Sequence, residues 1–152
     1  MANSFDLDDV DRAILRHLRQ SSRMSLQEMS RRTGVSDATL QFRLKRLKAK
    51  RAIERFTIIA SPKATGYAVT AIILVQTDAE KHDQAMKALA AIPEVTEVYG
   101  VLGEYDLFVK VWSRSLEELN ALINDSIRSI EGIEDLIEIV VVKRAKEETA
   151  PV

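Results

Sequence analysis

Apolar residues recur at helical spacing three times before residue 50, and the rhythm turns strand-like from residue 68 onward. Leu7, Val10, Ile14 and Leu18 share one helix face, with Leu15 widening the stripe. Asp8, Asp9 and Asp11 fall in the first turn, where carboxylates oppose the positive end of the helix. Ser21-Ser22 breaks the pattern. Ser25-Leu-Gln-Glu28 predicts a capping box for a second helix, the serine oxygen accepting from the Glu28 backbone N–H and the Glu28 carboxylate reaching back. Leu26, Met29 and the Thr33 methyl form its inner face, and Gly34 supplies the left-handed residue that ends it. Ser36 then caps a third helix, whose Leu40, Leu44 and Leu47 face the core.

The outer surface of that third helix holds the candidate chemistry. Asp37, Ala38, Gln41, Phe42, Lys45 and Lys48 lie opposite the leucines, with Thr39, Arg43 and Arg46 on the flanks. Two short helices joined by a tight glycine-containing turn, the second polar and basic, form the helix-turn-helix pattern. A helix fits the major groove, Gln and Arg make bidentate contacts to base edges, and Lys and Arg neutralise phosphates. Phe42 either touches a thymine methyl or tucks against a neighbouring element, and tucking is the expectation. Ser36, Asp37, Thr39, Gln41, Phe42, Arg43, Lys45 and Arg46 are thus the candidate DNA contacts. Ile53, Phe56, Ile58 and Ile59 form a short β-rich stretch, expected to pair with another chain or with the second module, because a module of about 60 residues is marginally stable alone. Ser61 to Gly66 reads as a hinge.

From Ala68 to Thr77 the chain is apolar on both faces, as in a central strand of a covered sheet. Glu80–Ala91 reads as a helix with Ala85, Met86 and Leu89 inward, closed by Pro93. Val95–Val101 is a strand, Gly103–Asp106 a turn and Leu107–Trp112 a strand. Ser115-Leu-Glu-Glu118 is a second capping box, opening a helix with Leu116, Leu119, Ile123 and Ile127 inward. Gly132 ends it, and Ile133–Val142 is the last strand. The order βαββαβ predicts a ferredoxin-like module with helices on one face of an antiparallel sheet, and an α+β chain overall. The uncovered sheet face must then carry large apolar residues. Ile73, Val75, Val109, Val111, Ile137 and Ile139 are the candidates, or their alternates Ile72, Leu74 and Val140. Sheet-to-sheet homodimerisation would bury such a patch and present two helix-turn-helix units to a two-fold site.

Charge sharpens the division. The net charge of −1 conceals 14 Lys+Arg against 7 Asp+Glu up to Gly66, and 8 against 16 after it. Arg43 to Arg55 alone holds seven basic residues and one acid, Glu54. Such asymmetry points to modules with different partners. The expected layout is a DNA-binding module over 1–60, a linker over 61–67, a ferredoxin-like module over 68–146 and a tail over 147–152. Cysteine is absent, which excludes disulfides, thiolate metal sites and a cysteine nucleophile. No apolar run reaches the roughly 18 residues of a membrane span, and the opening Met-Ala-Asn-Ser-Phe-Asp is too acidic for a signal peptide, so a cytoplasmic location is expected.

Leu7-Asp8-Asp9-Val10-Asp11-Arg12-Ala13-Ile14-Leu15, then Gly34-Val35-Ser36 leading into Arg43-Leu44-Lys45-Arg46-Leu47, and then Gly103-Glu104-Tyr105-Asp106-Leu107 occur in that order ahead of a βαββαβ module. In this combination the chain resembles the Lrp/AsnC (leucine-responsive, feast-or-famine) transcriptional regulators over about residues 6–146. The resemblance implies sequence-specific binding to double-stranded DNA and a homodimer that often assembles into octamers. It also implies a small effector, commonly an amino acid, bound between dimers around Gly103, Tyr105 and Asp106. An aspartate there holds an ammonium group and backbone N–H groups hold a carboxylate. On turn chemistry alone, Asp106 reads as a residue satisfying local backbone donors. Leu136 and Glu138 stand where many relatives carry a Thr-x-Thr pair near the effector, implying either a different ligand, cationic given Glu138, or none. Arg51 stands where a glycine often follows the recognition helix.

Two other classes compete. An effector-independent architectural protein would use the basic helix through phosphates alone. An enzyme resembling the haem-pathway decarboxylases of this fold would need a placed acid or metal ligand. His17 and His82 are the only histidines, and neither has a partner at metal spacing. No catalytic residue, metal or cofactor is therefore expected.

Overall fold

The computed structural model describes residues 6–148. Those residues divide into two compact units, one reaching Ile59 and the other spanning Ala60–Glu147.

The first unit is built on three helices, α1 (Asp9–Gln20), α2 (Leu26–Thr33) and α3 (Asp37–Ala49). Ile14, Met29, Leu40 and Leu47 are fully buried, with Leu7, Val10, Leu15, Leu18, Leu26, Val35 and Leu44 packed around them. This is the core the apolar spacing predicts. Gly34 ends α2 at φ 71°. Arg51 adopts φ 58° just beyond α3, so the turn keeps a left-handed residue although no glycine occupies it.

Four fully buried apolar side chains among the described residues make a small core, and an ionic clamp adds to it. Asp8 caps α1, accepting from the Asp11 N–H at 3.0 Å, and Asp11 accepts in return from the Asp8 N–H at 3.3 Å. Asp11 is 0% exposed. Its charge is answered across the fold by α3: Arg46 donates to Oδ2, and Arg43 bridges Asp8 and Asp11, at 3.4 Å from the latter. A buried carboxylate persists only with such charge-assisted partners. By contrast, the box expected at Ser25 is half-formed. Ser25 Oγ accepts from the Glu28 N–H at 3.1 Å, but the Glu28 carboxylate turns to Arg32 at 2.5 Å.

No strand forms over residues 53–60. Ile53 packs into the helical core, while Ile58 and Ile59 are exposed, the latter 92%. A β-rich composition yields no strand without a neighbour to complete its backbone hydrogen bonds. Ser61 to Gly66 folds as a tight turn, closed by Tyr67 N–H donating to the Pro62 carbonyl at 2.8 Å.

The second unit contains β1 (Val69–Thr77), α4 (His82–Ala90), β2 (Val95–Gly100), β3 (Leu107–Ser113), α5 (Leu116–Ala121) and β4 (Ile133–Val140). The four strands form one antiparallel sheet in the order β2-β3-β1-β4, the expected ferredoxin-like arrangement. α4 starts two residues later than its sequence suggests, because Asp78 Oδ1 accepts from the Glu80 and Lys81 N–H groups and holds that stretch as a turn. α5 runs on as a π-helical segment, Leu122–Ile127, with Arg128 N–H donating to Ile123 O at 2.8 Å. Leu119, Ile123 and Ile127 point inward as expected; Leu116, the first helical residue, is 52% exposed. The second box is also half-formed: Ser115 Oγ caps Glu118 N–H, while the Glu118 carboxylate takes the Arg114 N–H instead.

Strand register corrects the assignment of the sheet faces. Ala71, Ile73, Val75, Leu107, Val109, Val111 and Leu136 are buried with Leu89, Leu119, Ile123 and Ile127. Ile73, Val75, Val109 and Val111 therefore lie under the helices. The open face carries Ile72 opposite Ile139, and Leu74 between Phe108 and Ile137. Tyr99 extends it, its ring 5.9 Å from Phe108. Val140 pairs with Ala71 and so belongs to the helix-side edge. β1 is apolar on both faces, so period-two alternation could not choose between them; pairing does. Among the described residues no helix is long and apolar enough to cross a membrane.

Removing the buried acceptor tests the clamp. Asp11→Ala should destabilise the helical unit by about 3 kcal/mol, seen as lost hydrogen-exchange protection in α1 and α3 while β1 keeps its own. The Asp8 carboxyl lies below its ordinary value, first because it accepts the Asp11 N–H and then because Arg43 donates to it. Its folded pKa is thus below the unfolded one. The contribution is complete above the ordinary aspartate value of about 3.9 and fades as pH falls through the lower folded value. Protection of the first turn of α1 should hold from neutral pH down to about pH 5 and decline below about pH 4, less steeply in Asp8→Asn.

Candidate nucleic-acid interface and effector cleft

The clamp decides what α3 shows to solvent. Arg43 and Arg46, three residues apart, are drawn to α1, which leaves Ala38, Gln41, Phe42 and Lys45 exposed on the other side. At the helix start Ser36 Oγ caps the Thr39 N–H at 3.3 Å and meets the Thr39 hydroxyl at 2.9 Å, with Asp37 exposed beside them. The eight candidate contacts thus separate into three groups. Gln41, Phe42 and Lys45 form an open side-chain face. Ser36, Asp37 and Thr39 make up the N-terminal turn. The half-buried guanidiniums of Arg43 and Arg46 are internal anchors. The Asp8 bond raises the Arg43 pKa, so that side chain stays charged.

Phe42 does not tuck against a neighbour; it is 66% exposed. Lys48, from the same outer set, lies over the ring of Phe56 in the 53–60 stretch at 4.9 Å, a cation–π contact. The pairing of Asp11 with Arg46 escaped the sequence reading. Its signal was two arginines spaced i, i+3 on a flank of α3, together with an aspartate on the apolar side of α1.

In the second unit the turn between β2 and β3 is pinned to the end of β1. Asp106 N–H donates to Val75 O at 3.0 Å, and Gln76 Nε2 donates to Glu104 O at 3.0 Å. Asp106 Oδ2 accepts the Thr77 N–H at 2.8 Å and the Thr77 hydroxyl at 3.3 Å. That hydroxyl is 2.9 Å from His82 Nδ1. With its proton directed at Asp106, the Thr77 oxygen accepts from His82, which places a proton on Nδ1. Asp106 therefore serves the local backbone, as turn chemistry alone suggests.

The same three side chains line a cleft of about 360 Å³, together with Ala79, Glu80 and Asp83. Its carboxylates suit a cationic group. Of the candidate effector residues, Asp106 alone lines this cleft. Gly103 is exposed in the turn, and Tyr105 is half-buried, its phenol pKa raised by burial and then by Glu104 and Asp135. Leu136 is part of the hydrophobic core, and Glu138 sits on the edge strand 3.8 Å from Arg128. Thr77 and His82 were missed; their proximity depends on the turn that Asp78 holds over Glu80 and Lys81, two residues whose sequence reads as helix. Among the described residues no group of three or more His, Asp or Glu is placed to hold a metal.

Comparisons with known proteins match this division. Residues 7–48 fit the AsnC-type helix-turn-helix domain model, and residues 70–151 the Lrp/AsnC ligand binding domain model. The chain is 38% identical over 143 residues to the HTH-type transcriptional regulator FL11 of Pyrococcus furiosus, covering 94% of each chain. The structure of E. coli AsnC superposes with a TM-score of 0.88 at 30% identity, covering 95% of this chain and 97% of that one. The feast or famine regulatory protein from M. tuberculosis, solved with L-methionine, superposes with a TM-score of 0.86 at 26% identity, covering 95% and 98%. A three-helix reading unit with an exposed polar face, joined to a ferredoxin-like unit and matched along nearly its whole length, makes the chain a member of the Lrp/AsnC family of DNA-binding transcriptional regulators.

Proposed function

We propose that α3 is the recognition helix, lying in the major groove with Gln41, Phe42 and Lys45 toward the bases and phosphates. The observation that carries this reading is the clamp: it fixes the inner flank of α3 on α1 and leaves that face free. Ser36, Asp37 and Thr39 sit at the N-terminal turn, where helix N–H groups approach phosphate. The net positive balance before Gly66, 14 Lys+Arg against 7 Asp+Glu, supplies the sequence-independent attraction.

The open sheet face supports a homodimer. Ile72, Leu74, Phe108, Ile137 and Ile139 form a contiguous apolar surface, and a second copy of that surface is its natural cover. A two-fold pair would read a palindromic site. The cleft at Thr77, His82 and Asp106 is the proposed effector site. Its acidic lining favours a ligand ammonium group, and the L-methionine held by a relative makes amino acids the first class to test. Such a ligand alters DNA binding only if it favours one assembly state over another.

Three measurements check these assignments. Gln41→Ala should relax base preference at one position per half-site, weakening the selected duplex by about 1–3 kcal/mol, while Lys45→Ala should weaken all sequences alike and lower the salt slope by about one. Identical footprints for both variants and the wild type would remove α3 from the groove. Leu74→Glu should release monomers or aggregates in light scattering; an unchanged dimer mass would refute the sheet interface. Thermal shift against the twenty amino acids should find at least one that stabilises the wild type but not Asp106→Ala. No shift with any of them would leave amino acids out of the cleft.

A further inference from the structure

The exposed ring of Phe42 has a more specific use than general contact. It sits among Gln41, Lys45 and Ala38 on the solvent face of α3, 66% exposed. Phe56, the other exposed phenylalanine among the described residues of this unit, lies under the Lys48 ammonium group. Phe42 is the apolar centre of a face whose long neighbours are an amide and an ammonium group. A protein partner seated on the ring would have to desolvate Lys45 beside it. A nucleic acid meets both groups at once, phosphate against Lys45 and an apolar base atom against the ring.

The major groove presents one apolar group, the C5-methyl of thymine; every other edge atom there is a hydrogen-bond donor or acceptor or a small ring hydrogen. Gln41, next along the helix, carries the side chain whose amide pairs bidentately with adenine N6 and N7. We propose that Phe42 is a specificity residue that reads the thymine 5-methyl at one position in each half-site, beside a base read by Gln41. The inference rests on the placement of α3 in the major groove. It differs from that placement in naming the atom recognised: a methyl group, read by contact and not by hydrogen bonding.

Replacing thymine with 2′-deoxyuridine removes that methyl and leaves the base-pairing and hydrogen-bonding edges unchanged. The full-length protein is first used to select a duplex from a random library, and each thymine of that duplex is then replaced singly. Wild type should lose about fourfold in affinity at one thymine per half-site, the equivalent of about 0.8 kcal/mol for one buried methyl-sized group. Phe42→Ala should bind the thymine and deoxyuridine duplexes equally, and Phe42→Leu should keep part of the discrimination. The ring is exposed, so both variants should retain the wild-type circular dichroism spectrum.

The inference is overturned if no single replacement weakens wild-type binding, or if Phe42→Ala keeps the wild-type pattern. A change of mass in light scattering with that pattern intact would place the ring at a contact between copies. In these cases α3 keeps its place in the groove provided Gln41→Ala still relaxes base preference. Failure of the wild type to select any duplex over random DNA would overturn both readings together.

Discussion

The Asp11 carboxylate, without solvent contact and held by Arg46 and Arg43, is the interaction on which the reading unit depends. Among the described residues four fully buried apolar side chains, with partly buried ones around them, hold three helices together, a small core whose packing tolerates rotation of α3 about its axis more readily than a fixed ion pair does. Two guanidiniums one helical turn apart, converging on one carboxylate, define that rotation. The bonds to a buried charge cannot be exchanged for water without exposing Asp11 or leaving it unpaired. The clamp therefore sets which residues of α3 face outward, and it does so with arginines that composition alone would assign to phosphate.

The second unit solves a different problem with the same economy of groups. Its helices cover one side of the sheet, and register places every second residue of β1 and β3 beneath them. The other side keeps Ile72, Leu74, Phe108, Ile137 and Ile139 in adjoining positions. At the end of β1, Thr77 ties three elements through a single side chain: its strand, the β2–β3 turn through Asp106, and α4 through His82. At the proposed effector site, a ligand ammonium approaching Asp106 would meet a carboxylate already oriented by these bonds, so binding would order little that is not ordered already.

The element order, the apolar helix faces and the glycine at the end of α2 were all legible in the sequence, because each rests on local spacing or on the conformational freedom of one residue. Gly132 is similar: it takes φ 94°, and a Cβ there would lie 2.6 Å from Lys81 Cβ. What could not be read depends on which of several available partners a group takes, near in the chain or far from it. Glu28 and Glu118 satisfy the capping-box pattern, yet Arg32 and the Arg114 N–H draw their carboxylates elsewhere. The apolar residues of β1 gave two possible faces until β3 and β4 were paired. Residues 53–60 have strand composition but no neighbouring strand. Phe42 was expected to be covered because large rings usually are, and only the rotation of α3 leaves it open. At the candidate cleft Asp106 was identified, while Thr77 and His82 needed the turn at Asp78 to meet it.

The net value of −1 understates how differently charge is used in the two units. Arg43 and Arg46 face Asp8 and Asp11, which leaves the positive excess before Gly66 unchanged but takes two of its 14 cations into internal ion pairs. The attraction to DNA then falls on fewer cations than the sequence contains, and a single reading unit with a small number of phosphate contacts binds weakly at physiological salt. Pairing two units multiplies that affinity without new contacts, because binding of the second becomes intramolecular. In the proposed dimer the apolar sheet face, remote in sequence from every proposed base contact, would for this reason be part of the DNA-binding apparatus, supplying by association what two internally paired arginines do not give to phosphate.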